Sequence, residues 1–271
     1  MSSKKKLVAL LLITLILTIP IIVLIFSTIG TNLSNFNYLW DYLLVDYSIN
    51  TIKLVFMTIF FSLIFGVLPA WFVSTTDFKL KKIYDLLLYL PLAIPTYIMA
   101  FTYSDIVSYT GPIQSFLRNY TPKFAEIINV DYLQIEFLSI LLSLSLYPYV
   151  YTTCRIAFSR IGTSYINLSK TLGLSEFSTF FKIAIPISRA AIFSGLFLIV
   201  MEVLNEYGAV NYFGVNTYTS GIFRAWGPMV DIQTASLLAV FLFIVVALFF
   251  ILERYVNSKY KFNYAINTSV R

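Results

Sequence analysis

Two carboxylates four residues apart, Glu202 and Glu206, interrupt an otherwise apolar run, with Asn205 beside them. At that spacing both acids share one helix face. Acids inside a membrane run are costly and usually face a bundle interior or a wet cavity, and carboxylates suit a hard cation. A rise of about 1.5 Å per residue puts Glu202 about 20 Å beyond Arg189 along the helix axis, in the outer half of a bilayer. Two readings stand side by side. Either these acids line an outer vestibule or gate, or they bond nearby backbone and cap the short element after Gly208. The chain has no histidine and one cysteine, Cys154. An imidazole base, a His-ligated metal site, a disulfide framework and a CxxC pair are therefore excluded. Cys154 ends an apolar run before Arg155 and reads as a small buried residue. No HExxH or GxSxG is present, so an integral-membrane enzyme finds little support. No cofactor is expected on this chain.

The elements that must hold these acids are membrane spans. Of the 271 residues, 59% are hydrophobic and 12% charged, against about 25% charged in a soluble domain. Five runs free of charge approach the roughly 20 residues that a bilayer core requires: 7–29, 54–74, 86–104, 137–154 and 232–252. A sixth begins at Ala190 and carries Glu202 and Glu206. The first run follows Lys4, Lys5 and Lys6; it is longer than a signal-peptide core and lacks an A-x-A site, so it reads as a retained anchor. Pro20, Pro91 and Pro95 fall inside spans and predict kinks. Fifteen of the 19 cations gather on one side of this arrangement, leaving Lys53, Arg118, Lys123 and Arg224 on the other. Positive charge marks the cytoplasmic side. The net charge of +6 therefore reflects topology, and nucleic acid is not expected as a partner. The expected fold is all-α: a polytopic membrane protein in the lipid bilayer, six transmembrane helices, both termini cytoplasmic, one domain over 1–271.

Two loops, 105–136 and 155–189, exceed simple connectors. The outer one, 105–136, holds Gly111-Pro112 and Thr121-Pro122 and predicts short surface helices. The loop over 208–231 is rich in Gly and aromatics, and its Arg224 and Trp226 either contact an external partner or anchor the interface. In the inner loop, 155–189, Thr163 and Ser164 can cap a helix through Leu172, with Gly173 at a left-handed position. Ser175-Glu176 can start a second short helix through Phe177, Phe180 and Phe181, before Ile185-Pro186 bends the chain into the membrane. This element presents Leu172, Leu174, Phe177 and Phe181. Physics alone leaves two readings open, a docking element or an interfacial helix resting on headgroups.

The inner loop resembles that of binding-protein-dependent ABC importer permeases, which carry E-A-A-x-x-x-G-x9-I-x-L-P. Here Gly173 is followed at the matching spacing by Ile183-Ala184-Ile185-Pro186, while Asn167-Leu168-Ser169 stands where E-A-A is expected. Leu90-Pro91-Leu92-Ala93-Ile94-Pro95-Thr96-Tyr97, running on to Tyr109-Thr110-Gly111-Pro112, looks like the third span and outer loop of ferric-iron permeases. Met201-Glu202-Val203-Leu204-Asn205-Glu206-Tyr207-Gly208 and Thr219-Ser220-Gly221-Ile222-Phe223-Arg224 resemble their fifth span and gate loop. The resemblance extends over about 50–255, the core of the domain, and is to the N-terminal half of such permeases.

The resemblance implies a type I ABC importer permease domain in the inner membrane, a transport subunit rather than an enzyme. It implies cytoplasmic ATP-binding subunits as partners, since no G-x4-G-K-[ST] loop is present. It also implies a periplasmic substrate-binding protein and a second permease half or a second copy. The 159–187 segment becomes the coupling loop, with Leu172, Gly173, Leu174, Phe177, Phe181, Ile183 and Pro186 as its residues. Phe177 and Phe181 are either apolar anchors for the ATPase or packed back onto the third and fourth spans. Glu202, Asn205 and Glu206 become candidates for the pathway or gate. Ferric iron is the expected cargo; thiamine, a polyamine or an oxyanion is the alternative, and a half-length remnant that transports nothing is another.

Overall fold

We describe a computed structural model covering residues 3–29 and 34–259; side chains at 162–168 and 170, and a few near the described ends, lie outside the description. The described residues are all-α. Helix α1, Ser3–Phe26, runs through Pro20 without a break. Helix α2, Ser34–Leu39, continues through a π-helical turn, Trp40–Leu44, into α3, Val45–Thr75. Phe36–Thr75 within them makes one 40-residue span, longer than the 54–74 hydropathy run. Its early turns hold Asp41, Asp46 and Lys53, charges that end an apolar window without ending a helix.

The third expected span, 86–104, is not a single helix. Helix α4, Lys81–Tyr89, passes into a tight 3-10 turn, Leu90–Ala93, and the chain restarts as α5, Thr96–Val107. The segments on either side of the break are bent by 98°. Pro91 and Pro95 cause this: each lacks an N–H, and a residue before proline is pushed out of the helical region. Ile94, before Pro95, is extended at φ −104°, ψ 122°. The prolines break this segment rather than kink it.

Short helices α6, Pro112–Tyr120, and α7, Pro122–Ile128, form the outer-loop pair that the Gly-Pro and Thr-Pro dipeptides predict. Helix α8, Ile135–Thr171, then runs unbroken for 37 residues. Thr163 and Ser164 therefore cap no helix start. Gly162 costs a helix about 1 kcal/mol relative to alanine, which does not stop one already propagating. Gly173 does adopt the left-handed conformation, at φ +73°, and ends it. After Ser175 comes α9, Glu176–Thr179, then a π-helical turn, Phe180–Ala184, and α10, Ile185–Asn205. Pro186 does not bend the chain at the membrane; the π-helical turn before it absorbs the missing N–H, and 176–205 forms one span. Thus the inner "loop" is two helix ends joined by the turn at 172–175. Helices α11, Gly208–Tyr212, α12, Tyr218–Trp226, and α13, Ile232–Lys259, complete the chain. Among the described residues, five helices are long and apolar enough to cross a membrane, six with the bent pair.

Helix α8 is the centre. Leu138, Leu142, Val150, Tyr151 and Cys154 are fully buried, between α3 on one side and α10 on another. Approach is close because two glycines permit it. A Cβ at Gly66 would lie 3.0 Å from the Tyr147 carbonyl, and one at Gly195 would lie 2.8 Å from the Val150 Cα. The bundle has two distinct ends. Lys53 pairs with Glu136 at 2.5 Å, and Asn50 donates to the Asn216 carbonyl at 3.0 Å. At the other end Ser74 lies against the Arg155 carbonyl at 3.4 Å, and Ser194 donates to Glu253 at 2.9 Å. Placing Val at position 195 is expected to destabilise the bundle by about 1–3 kcal/mol, the usual cost of overpacking. A thermal unfolding midpoint equal to the native protein's in the same detergent would refute this packing.

Candidate functional site

The first candidate is the exposed turn at the Arg155 end. Ser175 caps α9, accepting from the Ser178 N–H at 3.2 Å, and the left-handed Gly173 turns the chain back. A Cβ at Gly173 would meet nothing within 4 Å, so the glycine answers to backbone conformation alone. Leu172 is 69% exposed and Phe177 73%, while Leu174 is half-buried. Phe181 is exposed with its ring centroid 4.6 Å from that of Phe177. Phe180 turns inward, its ring 5.5 Å from Trp71 on the second span and 6.4 Å from Phe158 on the fourth. Ile183 is half-buried and Pro186 exposed. Two hydrogen bonds brace the turn: Leu174 N–H donates to the Ser169 carbonyl at 3.0 Å, and the hydroxyls of Thr179 and Ser169 are paired at 2.9 Å. The side chains of Asn167 and Leu168 lie outside those described.

The second candidate is the acid pair. Tyr149 donates to Glu202 at 3.0 Å, near the middle of the 135–161 span, and Glu202 and Asn205 are exposed. Glu206 is half-buried and doubly engaged: it accepts from the Thr96 hydroxyl and, at 2.8 Å, from the Ala209 N–H. It therefore caps α11 and ties α10 to the restart of the bent span. Gly208 is needed beside it, since a Cβ there would lie 2.9 Å from the Tyr97 Cβ. The acids bridge elements, and the face carrying Glu202 and Asn205 is open within this chain.

A third cluster escaped sequence reasoning. Asp85 on α4 accepts from the buried Tyr151 hydroxyl and pairs with Arg155 at 3.5 Å. Helix α4 has no buried residue, so this cluster and the Tyr89–Tyr151 ring contact at 5.1 Å fasten it to α8. Asp85 ends the charge at the start of the 86–104 run, which is the one signal that pointed to it. Among the described residues, no group of three or more His, Cys, Asp or Glu side chains could hold a metal. At the Lys53 end, α12 is fixed by the Tyr218 N–H donating to Thr51 at 2.8 Å and by a Thr217–Ser220 capping box. Burial pushes the Tyr218 phenol up to about 12, so it stays neutral. Arg224 donates to Asn216 at 3.4 Å, and Trp226 stands exposed.

Comparison with known proteins gives one consistent answer. The family described as "Binding-protein-dependent transport system inner membrane component" matches residues 62–262. The sulfate transport system permease protein CysT of Salmonella typhimurium is 26% identical over 166 residues, 61% of this chain and 57% of that protein. The Fe(3+)-transport system permease protein FbpB 2 of Haemophilus influenzae is 25% identical over 190 residues, 70% of this chain and 33% of that protein. The chain thus spans less than two thirds of these relatives. Among solved structures, a chain of a bacterial alginate ABC transporter, crystallised with its alginate-bound periplasmic protein, superposes with a TM-score of 0.75. It covers 94% of this chain and 95% of its own at 18% identity, so the likeness is one of fold.

The Glu206 geometry makes a specific prediction. Glu206→Ala is expected to cost about 0.5–2 kcal/mol through loss of the cap, while Glu206→Gln keeps an acceptor oxygen and costs less. Hydrogen exchange over 207–213 reads the difference; equal protection in both variants would rule the cap out.

Proposed function

This chain belongs to the family of binding-protein-dependent transport system inner membrane components, and we propose that it is one half of the translocation pore of an ATP-driven importer. In this reading the Arg155 end faces the cytoplasm, where the positive charge gathers, and both termini lie there. The observation that carries the proposal is the pairing of the family match with a braced, aromatic turn at that end. Leu172, Phe177 and Phe181 form an exposed apolar patch on a rigid support, as a docking site for a cytoplasmic ATP-binding subunit requires. Residues 159–187 are then the coupling segment. Because α8 and the 176–205 span both end at this turn, a push on it moves the spans themselves, and alternating access follows.

The Glu202 face supplies the second partner. A carboxylate within a membrane span does not face lipid, and the face bearing Glu202 and Asn205 is open here. A second permease half, as a separate chain or a second copy, covers it, with Glu202, Asn205 and Glu206 beside the pathway. A periplasmic binding protein docks at the Lys53 end. For cargo, the oxyanion alternative is better supported than ferric iron. The CysT proteins of Salmonella typhimurium and Escherichia coli are named for sulfate and ModB of Azotobacter vinelandii for molybdenum, against FbpB 2 for Fe(3+). The acids that motivated a hard cation are also engaged by Tyr149, Thr96 and backbone.

The test is reconstitution with ATPase and second-half subunits in liposomes. Loaded binding protein should stimulate ATP hydrolysis, and sulfate should be taken up where ferric iron is not; stimulation without sulfate uptake would refute the cargo alone. Phe177→Cys should crosslink to the ATP-binding subunit, and failure of both crosslinking and stimulation would refute the transporter reading. The Glu202→Gln, Glu206→Gln double variant should lose uptake in an assembled complex; unchanged uptake would remove these acids from the pathway.

A further inference from the structure

Helix α4 is nine residues long and buries none of them. Leu88 and Tyr89 lie half-buried against the core, while Ile83, Tyr84, Leu86 and Leu87 are exposed. The backbone breaks at both of its ends. Before it, Leu80 sits at φ +66°, ψ 13°, a left-handed conformation that is strained for a bulky L side chain. After it, Ile94 is extended between Pro91 and Pro95, and the chain bends by 98°. A short rod between two breaks lies where its side contacts hold it.

Those contacts centre on Asp85, which accepts from the Tyr151 hydroxyl and pairs with Arg155 at 3.5 Å. The guanidinium is loosely seated. It reaches Ser74 at 3.5 Å as well, and its Nε is buried without a hydrogen-bond partner. Both bonds stand beyond the usual length for N–H···O, and a buried donor left unmet is costly. The position seen here therefore carries strain at the Leu80 hinge and an unmet donor at the latch. The Tyr151–Asp85 bond is what offsets them. Strain held in place by a few polar contacts belongs to elements that switch. A fixed brace has no use for it.

We propose that α4 is an arm with two positions, latched here onto α8 by Asp85 and released when ATP-driven movement of the exposed turn shifts α8. Release lets Leu80 leave the left-handed region and swings the inner half of the bent segment, whose restart carries the Thr96–Glu206 bond. The inference rests on the importer reading for the force that opens the latch; the latch and both hinges belong to this chain.

The assay uses the complete transporter in nanodiscs. Spin labels on Leu86→Cys and Phe193→Cys, both exposed positions, read α4 against α10, and the native Cys154 is buried. Without nucleotide, one narrow distance is expected; trapping with ATP and vanadate should bring in a second. Asp85→Ala should show that second distance without nucleotide. Tyr151→Phe, which keeps the buried ring, should show a smaller share of it. Adding Leu80→Gly to Asp85→Ala should cut the share by about fivefold or more, because glycine takes the left-handed conformation freely and leucine does not. A single narrow distance in Asp85→Ala, or in a native complex that has trapped nucleotide, would overturn the arm and leave the importer reading intact. A native complex that traps no nucleotide would overturn both.

Discussion

The close seating of α8 against α3 and α10 is the contact on which the molecule depends. Hydrocarbon supplies no hydrophobic drive between helices, so packing and small residues must do the work. Gly66 and Gly195 bring two neighbours onto the same stretch of α8, between Tyr147 and Val150. Hydroxyls in that stretch turn inward to their own backbone: Ser143 donates to the Ile140 carbonyl at 2.6 Å and Thr152 to the Pro148 carbonyl at 2.6 Å. No water is present to serve them otherwise. The three helices therefore move as one body, and anything fastened to α8 moves with it.

What is fastened there explains the few charges the membrane region tolerates. The bent segment buries little surface through α4, and apolar packing alone would hold it weakly. Asp85 ties its near end to Tyr151 and Arg155, and Thr96 ties its restart to Glu206. Glu202 meets Tyr149 on α8, and Glu253 on α13 meets Ser194 on α10. In a low-dielectric setting, unpaired polar groups are costly and satisfied ones fix geometry. Acids here act first as cross-braces. A pathway role for Glu202 adds to that duty and does not replace it.

Much of this was legible in the residues. Charge-free runs located the spans, Gly-Pro and Thr-Pro announced α6 and α7, and Cys154 is buried as its surroundings implied. Gly173 was correctly read as left-handed because a glycine after a long helical run has that use. The bent segment was misjudged: hydropathy records how apolar a stretch is, not its direction, and Pro91 with Pro95 is compatible with a kink or a break. The helix boundaries of the inner loop were misdrawn for a similar reason. Thr163 and Ser164 have capping side chains, but a cap forms only where the backbone leaves the helix, and α8 does not leave it there. Bridges such as Asp85–Tyr151 join residues 66 apart in sequence, and no local pattern marks them.

The central claim is that α8 is one rigid rod from the Lys53 end to the exposed turn. Electron–electron double resonance between spin labels at Glu136 and Thr171 tests it directly. A continuous helix with a rise of about 1.5 Å per residue places the two Cα atoms about 52 Å apart, with a narrow distribution. A broad distribution, or one centred below about 45 Å on the same rise, would show a helix–turn–helix in its place and contradict the account.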